Sequence, residues 1–223
     1  MAITFHKIST YEPVTAYLCL RISRHLSTGK KVLWLVTGGS SIPMAAEVSR
    51  RLAGPQLKNL TVTLTDERYG PVGHPDSNWQ QLIEAGFSLD GANLQPVISG
   101  KNFERTVDDY AQIIRRDLAE NDYKIGFIGI GADGHAGGIK SGSPAVNSRE
   151  LVEGYNSEDY VRLTLTPRAI ARLDEVVAYA VGAAKHQLLD QLQQNLPINQ
   201  QPAQTLKRAK KFTVYNDYIG DEV

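Results

Sequence analysis

Short apolar runs alternate with amphipathic stretches along the whole chain. Residues 3–8 alternate as a strand does. Pro13 opens a helical pattern with Val14, Leu18, Ile22 and Leu26 on one side, and Gly29 closes it. Residues 31–37 (KVLWLVT) predict a second strand. Gly38-Gly39-Ser40-Ser41 follows, and Pro43 starts a helix running to about Leu52. Residues 60–65 predict a third strand that leads into Asp66-Glu67-Arg68. After a loop rich in Pro and Gly, Ser77 caps a short helix over 78–85, stopped by Gly86. Residues 93–98 read as a strand. Asn102 caps a helix carrying Val107, Tyr110, Ala111, Ile114 and Leu118 at helical spacing.

The central stretch is 125–142, IGFIGIGADGHAGGIKSG. Its β-branched start, 125–130, is short and ends in glycines, which predicts a strand buried on both faces. A loop is expected over 136–148, strands over 162–166 and 176–181, and between them a turn starting at Pro167. Gly182 leads into a helix with Ala184, Leu188, Leu189 and Leu192 inward. Residues 193–204 read as a polar surface loop, 211–215 as a last strand and 216–223 as a tail. Such alternation of strands and helices argues for an α/β protein: a mainly parallel sheet covered by helices on both faces, as one domain over residues 1–223.

Charge narrows the function classes. Lys+Arg and Asp+Glu both total 24, for a formal net charge of zero. Nucleic-acid and membrane-surface binders need a basic excess, so neither is expected. The single cysteine, Cys19, cannot form an internal disulfide and reads as a small core residue. No apolar run is long enough to span a bilayer and no signal-like start is seen, so a cytoplasmic protein is expected.

Several stretches can carry chemistry. A strand, then GGSS, then a Pro-initiated helix gathers backbone N–H groups, hydroxyls and a helix N-terminus around an anion. Gly38, Gly39, Ser40 and Ser41 are therefore candidate phosphate binders; a plain tight turn is the competing reading. The turn is neither a Walker loop nor a G-x-G-x-x-G fingerprint. Asp66, Glu67 and Arg68 end another strand, where an arginine can hold a phosphate or carboxylate. For Glu67 an internal ion pair is preferred, and for His74 a loop contact. Asp133 and His135 stand just past the buried strand, where ligands bind in open α/β sheets. A turn with a solvated histidine fits that stretch equally well. Arg162 and Lys185 are two further cations, each usually inert alone. Asp133-x-His135 lacks further ligands at metal spacing, so no metal is expected.

Taken together, strand-GGSS-x-P, DER followed by SN, G-x-G-x-DGH, R-x-T and G-x-x-K resemble the 6-phosphogluconolactonases, relatives of the glucosamine-6-phosphate isomerases/deaminases. The resemblance runs over nearly the whole chain. It implies a Rossmann-like sheet with a smaller associated lobe, and cofactor-free hydrolysis of 6-phospho-D-glucono-1,5-lactone in the pentose phosphate pathway. His135 matches the family's proposed general base and Asp133 the aspartate of that motif. Arg68, with Asp66 beside it, matches the DER arginine. Arg162 and Lys185 match cations that hold phosphate or steady the carbonyl oxygen. The implied partner is a phosphorylated sugar lactone, with the protein a monomer or weak homo-oligomer.

One segment departs from the pattern. The family usually reads close to TASLFPG after DGH, where this chain has Ala136-Gly137-Gly138-Ile139-Lys140-Ser141-Gly142. Lost apolar contacts are expected to loosen the loop. An isomerase/deaminase is the alternative enzyme, disfavoured because 136–149 contains no Asp or Glu before Glu150. A sugar-phosphate binder without catalysis is the alternative of another class.

Overall fold

The computed structural model describes residues 3–223. In chain order the elements are β1 (Thr4–Lys7), α1 (Glu12–Ser27), β2 (Val32–Val36), α2 (Ile42–Arg51), β3 (Leu60–Leu64) and β4 (Asp66–Arg68). Next come α3 (Asn78–Glu84), β5 (Asn93–Leu94), α4 (Phe103–Glu120), β6 (Tyr123–Phe127), α5 (Pro144–Asn147) and β7 (Val152–Asn156). The last are β8 (Val161–Leu165), α6 (Pro167–Ile170), β9 (Glu175–Ala180), α7 (His186–Leu192), β10 (Phe212–Asn216) and β11 (Asp221–Glu222).

Eight strands form one sheet in the order β11-β1-β10-β9-β6-β2-β3-β5, and every pairing in it is parallel. Successive side chains of a strand point to opposite faces, yet β2 and β10 are buried at every position. Both faces of the sheet are therefore covered, as a parallel sheet requires. The α1 side predicted to face inward does so: Val14, Leu18, Ile22 and Leu26 are all buried. Cys19 lies at the edge of that core, half-buried.

From β2 the chain winds outward to β3 and β5; from β6 it winds the other way, to β9 and β10. The order reverses between β2 and β6, and the carboxyl ends of strands at such a reversal frame a ligand crevice. At the opposite end of the sheet, Glu175 opens β9 as a buried carboxylate. It accepts from Tyr17, from Tyr123 at 2.5 Å and from Arg21 at 2.8 Å, with Lys211 Nζ 3.2 Å away.

A second, antiparallel sheet, β4-β8-β7, is the smaller lobe. Residues 66–68 do not simply end β3, as expected, but form its first strand. The change of sheet happens at Thr65, whose N–H bonds Val36 of the large sheet while its carbonyl accepts from Leu165 of the small one. Other expectations are corrected too. Residues 93–98 supply only the two-residue β5. The 136–148 loop contains the helical turn α5. β7 went unforeseen, because in VEGYN only Val152 and Tyr155 are buried and α4 covers its glycine. Ala184 is exposed, in a 3-10 turn ahead of α7. The expected surface loop turns inward at its end, burying Gln201 and Gln204. The tail pairs with β1 through β11.

Candidate active site

Two glycine-rich exits leave the sheet side by side at the reversal point. Val36 and Phe127 are register partners at the ends of β2 and β6, and Thr37 N–H bonds the Phe127 carbonyl at 3.1 Å. One exit is Gly38-Gly39-Ser40; the other is the loop to His135. Together with β4, β8 and the start of α7 they enclose a cavity of about 370 Å³. Its walls carry Gly38, Gly39, Ser40, Asp66, Arg68, Asp133, His135, Arg162 and Lys185, nine of the ten residues expected from sequence.

Ser41 is the exception. The 3-10 turn over Gly39–Ser41 aims Ser40 at the cavity and rolls Ser41 under it, where its hydroxyl is fully buried without a partner. Gly38 is required for contact: a Cβ there falls 1.9 Å from Asn78 Oδ1.

His135 is held by its own loop. Nδ1 lies 2.5 Å from Asp133 Oδ1, and no other described residue bonds the ring, so Nε2 is left for a ligand or water. The loop is closed by Gly131 N–H to the His135 carbonyl and Gly134 N–H to the Gly131 carbonyl, with Gly134 at φ 84°. A side chain at Gly131 collides with the ring, its Cβ 2.1 Å from Cε1. Partial burial pushes the Asp133 carboxyl up, but the imidazole charge and His135 hydrogen bonds outweigh it, leaving it below the usual carboxylate range. The segment after His135 is packed rather than loose. Ala136 and Ile139 are buried, and a Cβ on Gly138 meets Thr164 at 2.7 Å and Asp66 at 2.8 Å. Apolar contact survives because the glycine backbone lies directly on β4 and β8.

Asp66 is buried, and burial pushes its carboxyl up against the opposing pull of the Thr65 hydroxyl, Arg162, Arg68 and His135. Thr65 donates to it at 2.9 Å and is itself 2.7 Å from Thr37. Arg68 and Arg162 face each other across the β4–β8 pairing, flanking the Tyr160 ring at 4.7 and 5.3 Å. Like charges directly opposite are unfavourable unless a counter-ion shares them. Arg162 has two carboxylates, Asp159 at 2.6 Å and Asp66 at 3.8 Å. Among the described residues the Arg68 guanidinium bonds only the Asp76 carbonyl, at 3.1 Å. Lys185 makes no ion pair among the described residues, and burial lowers its ammonium against the pull of Asp217.

Glu67 is structural, but not through an ion pair. Its buried carboxylate accepts from Arg68 N–H, Ser77 Oγ and the Asn78 and Trp79 N–H groups, capping the N-terminus of α3. That tie places Asn78 on the cavity wall. His74 bonds the Arg68 carbonyl at 2.9 Å, the loop contact expected. Sequence reasoning did not nominate Asn78, Lys140, Asp159 or Tyr160, which also line the cavity. Asn78 was within reach as the SN after DER; Asp159 and Tyr160 lie in a hairpin tip with no motif. Among the described residues no cluster of three or more His, Cys, Asp or Glu is placed to hold a metal, and no helix is long and apolar enough to cross a membrane.

A 6-phosphogluconolactonase of Caulobacter vibrioides is 27% identical over 192 residues, covering 81% of this chain and 82% of that protein. A glucosamine-6-phosphate deaminase of Streptococcus pneumoniae is 24% identical over 172 residues, covering 76% and 69%. The crystal structure of a 6-phosphogluconolactonase from Shewanella baltica superposes with a TM-score of 0.81 over 96% of this chain and 98% of that one, at 18% identity. That likeness covers both sheets' worth of chain. The family model for glucosamine-6-phosphate isomerases/6-phosphogluconolactonase matches residues 8–215, from just after β1 into β10, and with every cavity-wall motif inside that span the chain belongs to this family.

Proposed function

We propose that this chain hydrolyses 6-phospho-D-glucono-1,5-lactone to 6-phosphogluconate, the lactone-opening step of the pentose phosphate pathway. One observation carries the reading: a carboxylate-held imidazole with a free Nε2 shares a single polar cavity with a glycine-serine turn and an unpaired lysine. The lactonase relatives on both sequence and fold support it.

A lactone is an activated ester, so the chemistry needs a deprotonated water and donors for the developing oxyanion. His135 Nε2 takes the water proton, and an imidazole is suited to that near neutral pH. Asp133 fixes the ring through Nδ1 and stabilises the imidazolium that forms. N–H groups of the glycine turns meet the oxyanion. The phosphate, held by Gly38-Gly39-Ser40 and by the four Lys and Arg side chains around the cavity, Arg68, Lys140, Arg162 and Lys185, fixes the carbonyl beside His135. All of these groups lie on one chain, which supports work as a single α/β domain and as a monomer or weak homo-oligomer. A lone unpaired cysteine suits a reducing cytoplasm.

The test is to incubate the purified protein with fresh lactone and with glucosamine 6-phosphate. Acid release from the lactone is expected. Ammonia release from the amino sugar instead moves the chain to the isomerase branch, and binding without turnover makes it a non-catalytic member.

A further inference from the structure

The tip of the β7–β8 hairpin puts an acid into a cavity otherwise built for anions. Asp159 Oδ2 accepts from Arg162 at 2.6 Å, and Oδ1 accepts from Lys140 at 2.9 Å. Ser157 Oγ at 2.5 Å and the Tyr160 N–H at 3.1 Å also donate to Oδ1. One carboxylate thus holds two of the four Lys and Arg side chains on the cavity wall. The other two, Arg68 and Lys185, have no carboxylate partner among the described residues.

The hairpin does not need these contacts to close. Its turn is already made by Ser157 N–H to the Tyr160 carbonyl at 2.9 Å. Nor does Arg162 need them for charge balance inside the protein, since the buried Asp66 lies 3.8 Å away. Asp159 is also the most accessible member of the group: its side chain is 41% exposed, against 9% for Arg162 and 29% for Lys140. Lys140 is one of the residues by which this loop departs from the family pattern, so the bridge is a property of this chain.

We propose that Asp159 is an internal competitor that sets the anion selectivity of the cavity: its carboxylate occupies Arg162 and Lys140 when the cavity is empty, and an incoming phosphate takes both cations over. The inference rests on the reading of the cavity as a phosphate-binding site. A resident carboxylate is one negative charge with two oxygens. A phosphate dianion offers twice the charge and three oxygens, and so displaces it. A singly charged sugar acid does not. Asp159 thereby weakens every anion but penalises monoanions most, confining the site to phosphate monoesters.

The experiment is calorimetric titration of wild type, Asp159→Asn and Lys140→Met with 6-phosphogluconate, inorganic phosphate and gluconate at fixed ionic strength. Asparagine keeps an acceptor for Arg162 and sits at an accessible tip, and thermal melts check that both variants fold. Asp159→Asn is expected to bind phosphate and 6-phosphogluconate about 5- to 10-fold tighter, with gluconate gaining more than either. Lys140→Met is expected to bind both phosphate ligands several-fold more weakly. Phosphate affinity unchanged or weakened in Asp159→Asn, or unchanged in Lys140→Met, overturns the proposal and makes Asp159 a staple that merely positions Arg162. The titrations need no turnover. A wild type that binds phosphate but leaves the lactone intact removes the proposed reaction without touching this result.

Discussion

At the scale of single residues, the imidazole depends on two neighbours of different kinds. Asp133 supplies charge and a hydrogen bond at Nδ1; Gly131 supplies room for the ring and closes the loop through its backbone N–H and carbonyl. Replacing His135 by Ala removes the proposed base and is expected to lower kcat by roughly 10²–10⁴-fold with an unchanged melting curve. Replacing Gly131 by Ala keeps the imidazole but displaces the ring; a loss of about 10²-fold in kcat is expected, with substrate binding little changed. Steady-state kinetics on the lactone check both, and full activity in the glycine variant removes the claim that ring placement limits the rate. The placement of Asp133 and His135 at the cavity was legible in the sequence, because GADGH follows a buried strand whose carboxyl end opens on the crevice. The difference between Ser40 and Ser41 was not. Two adjacent serines look alike in a motif, and only the sense of the 3-10 turn decides which hydroxyl meets the cavity.

Among the elements, the short helix α3 does more for the site than its length suggests. Ser77 accepts from Gln80 N–H and donates to Glu67, while Glu67 takes the next two N–H groups of the helix. One cap therefore locks the helix start to β4, the strand that carries Arg68. Asn102 caps α4 by the same device, accepting from Arg105 N–H, but α4 brings nothing to the cavity. Both Ser77→Ala and Asn102→Ala are expected to cost about 1 kcal/mol in urea unfolding. Only Ser77→Ala is expected also to raise KM for the lactone, since the Glu67 anchor shared by Asn78 and Arg68 loses one of its four donors. Both caps were readable from a Ser or Asn ahead of a helical pattern. β7 and the inward turn at 201–206 were not, because their burial is imposed by partners distant in the chain: α4 over Gly154, and Gln191 bonding both Gln201 and Gln204. A polar stretch that finds hydrogen bonds inside the protein has no local mark of burial.

Over the whole molecule, the two ends of the parallel sheet have separate work. The carboxyl ends hold the cavity; the amino ends hold the Glu175 cluster. Burial pushes the Glu175 carboxyl up, but Tyr123, Tyr17, Lys211 and Arg21 outweigh it and leave it below the usual range. A carboxyl lowered on folding contributes stability above its unfolded value, about 4.5, and loses it as pH falls through the folded value. Glu175→Gln is thus expected to destabilise the fold by roughly 3 kcal/mol at pH 7, the low end for a broken buried pair because Arg21 and Lys211 reach water. The gap from wild type is expected to narrow as pH falls below about 4.5, with kcat unaffected, as urea midpoints across pH and a lactone assay can check. A constant gap across that range removes the electrostatic account of the cluster.

Thr65 has a consequence of its own. Because one residue bonds both sheets through its two backbone groups, the small sheet is tied to the large one at the corner, and large pivots there work against those hydrogen bonds. The width between the β4–β8 wall and the strand exits is thereby fixed by the backbone. A sugar phosphate one carbon longer gains no room from breathing of the halves, so redesign for larger lactones has to shorten the loops at the mouth and leave the corner alone.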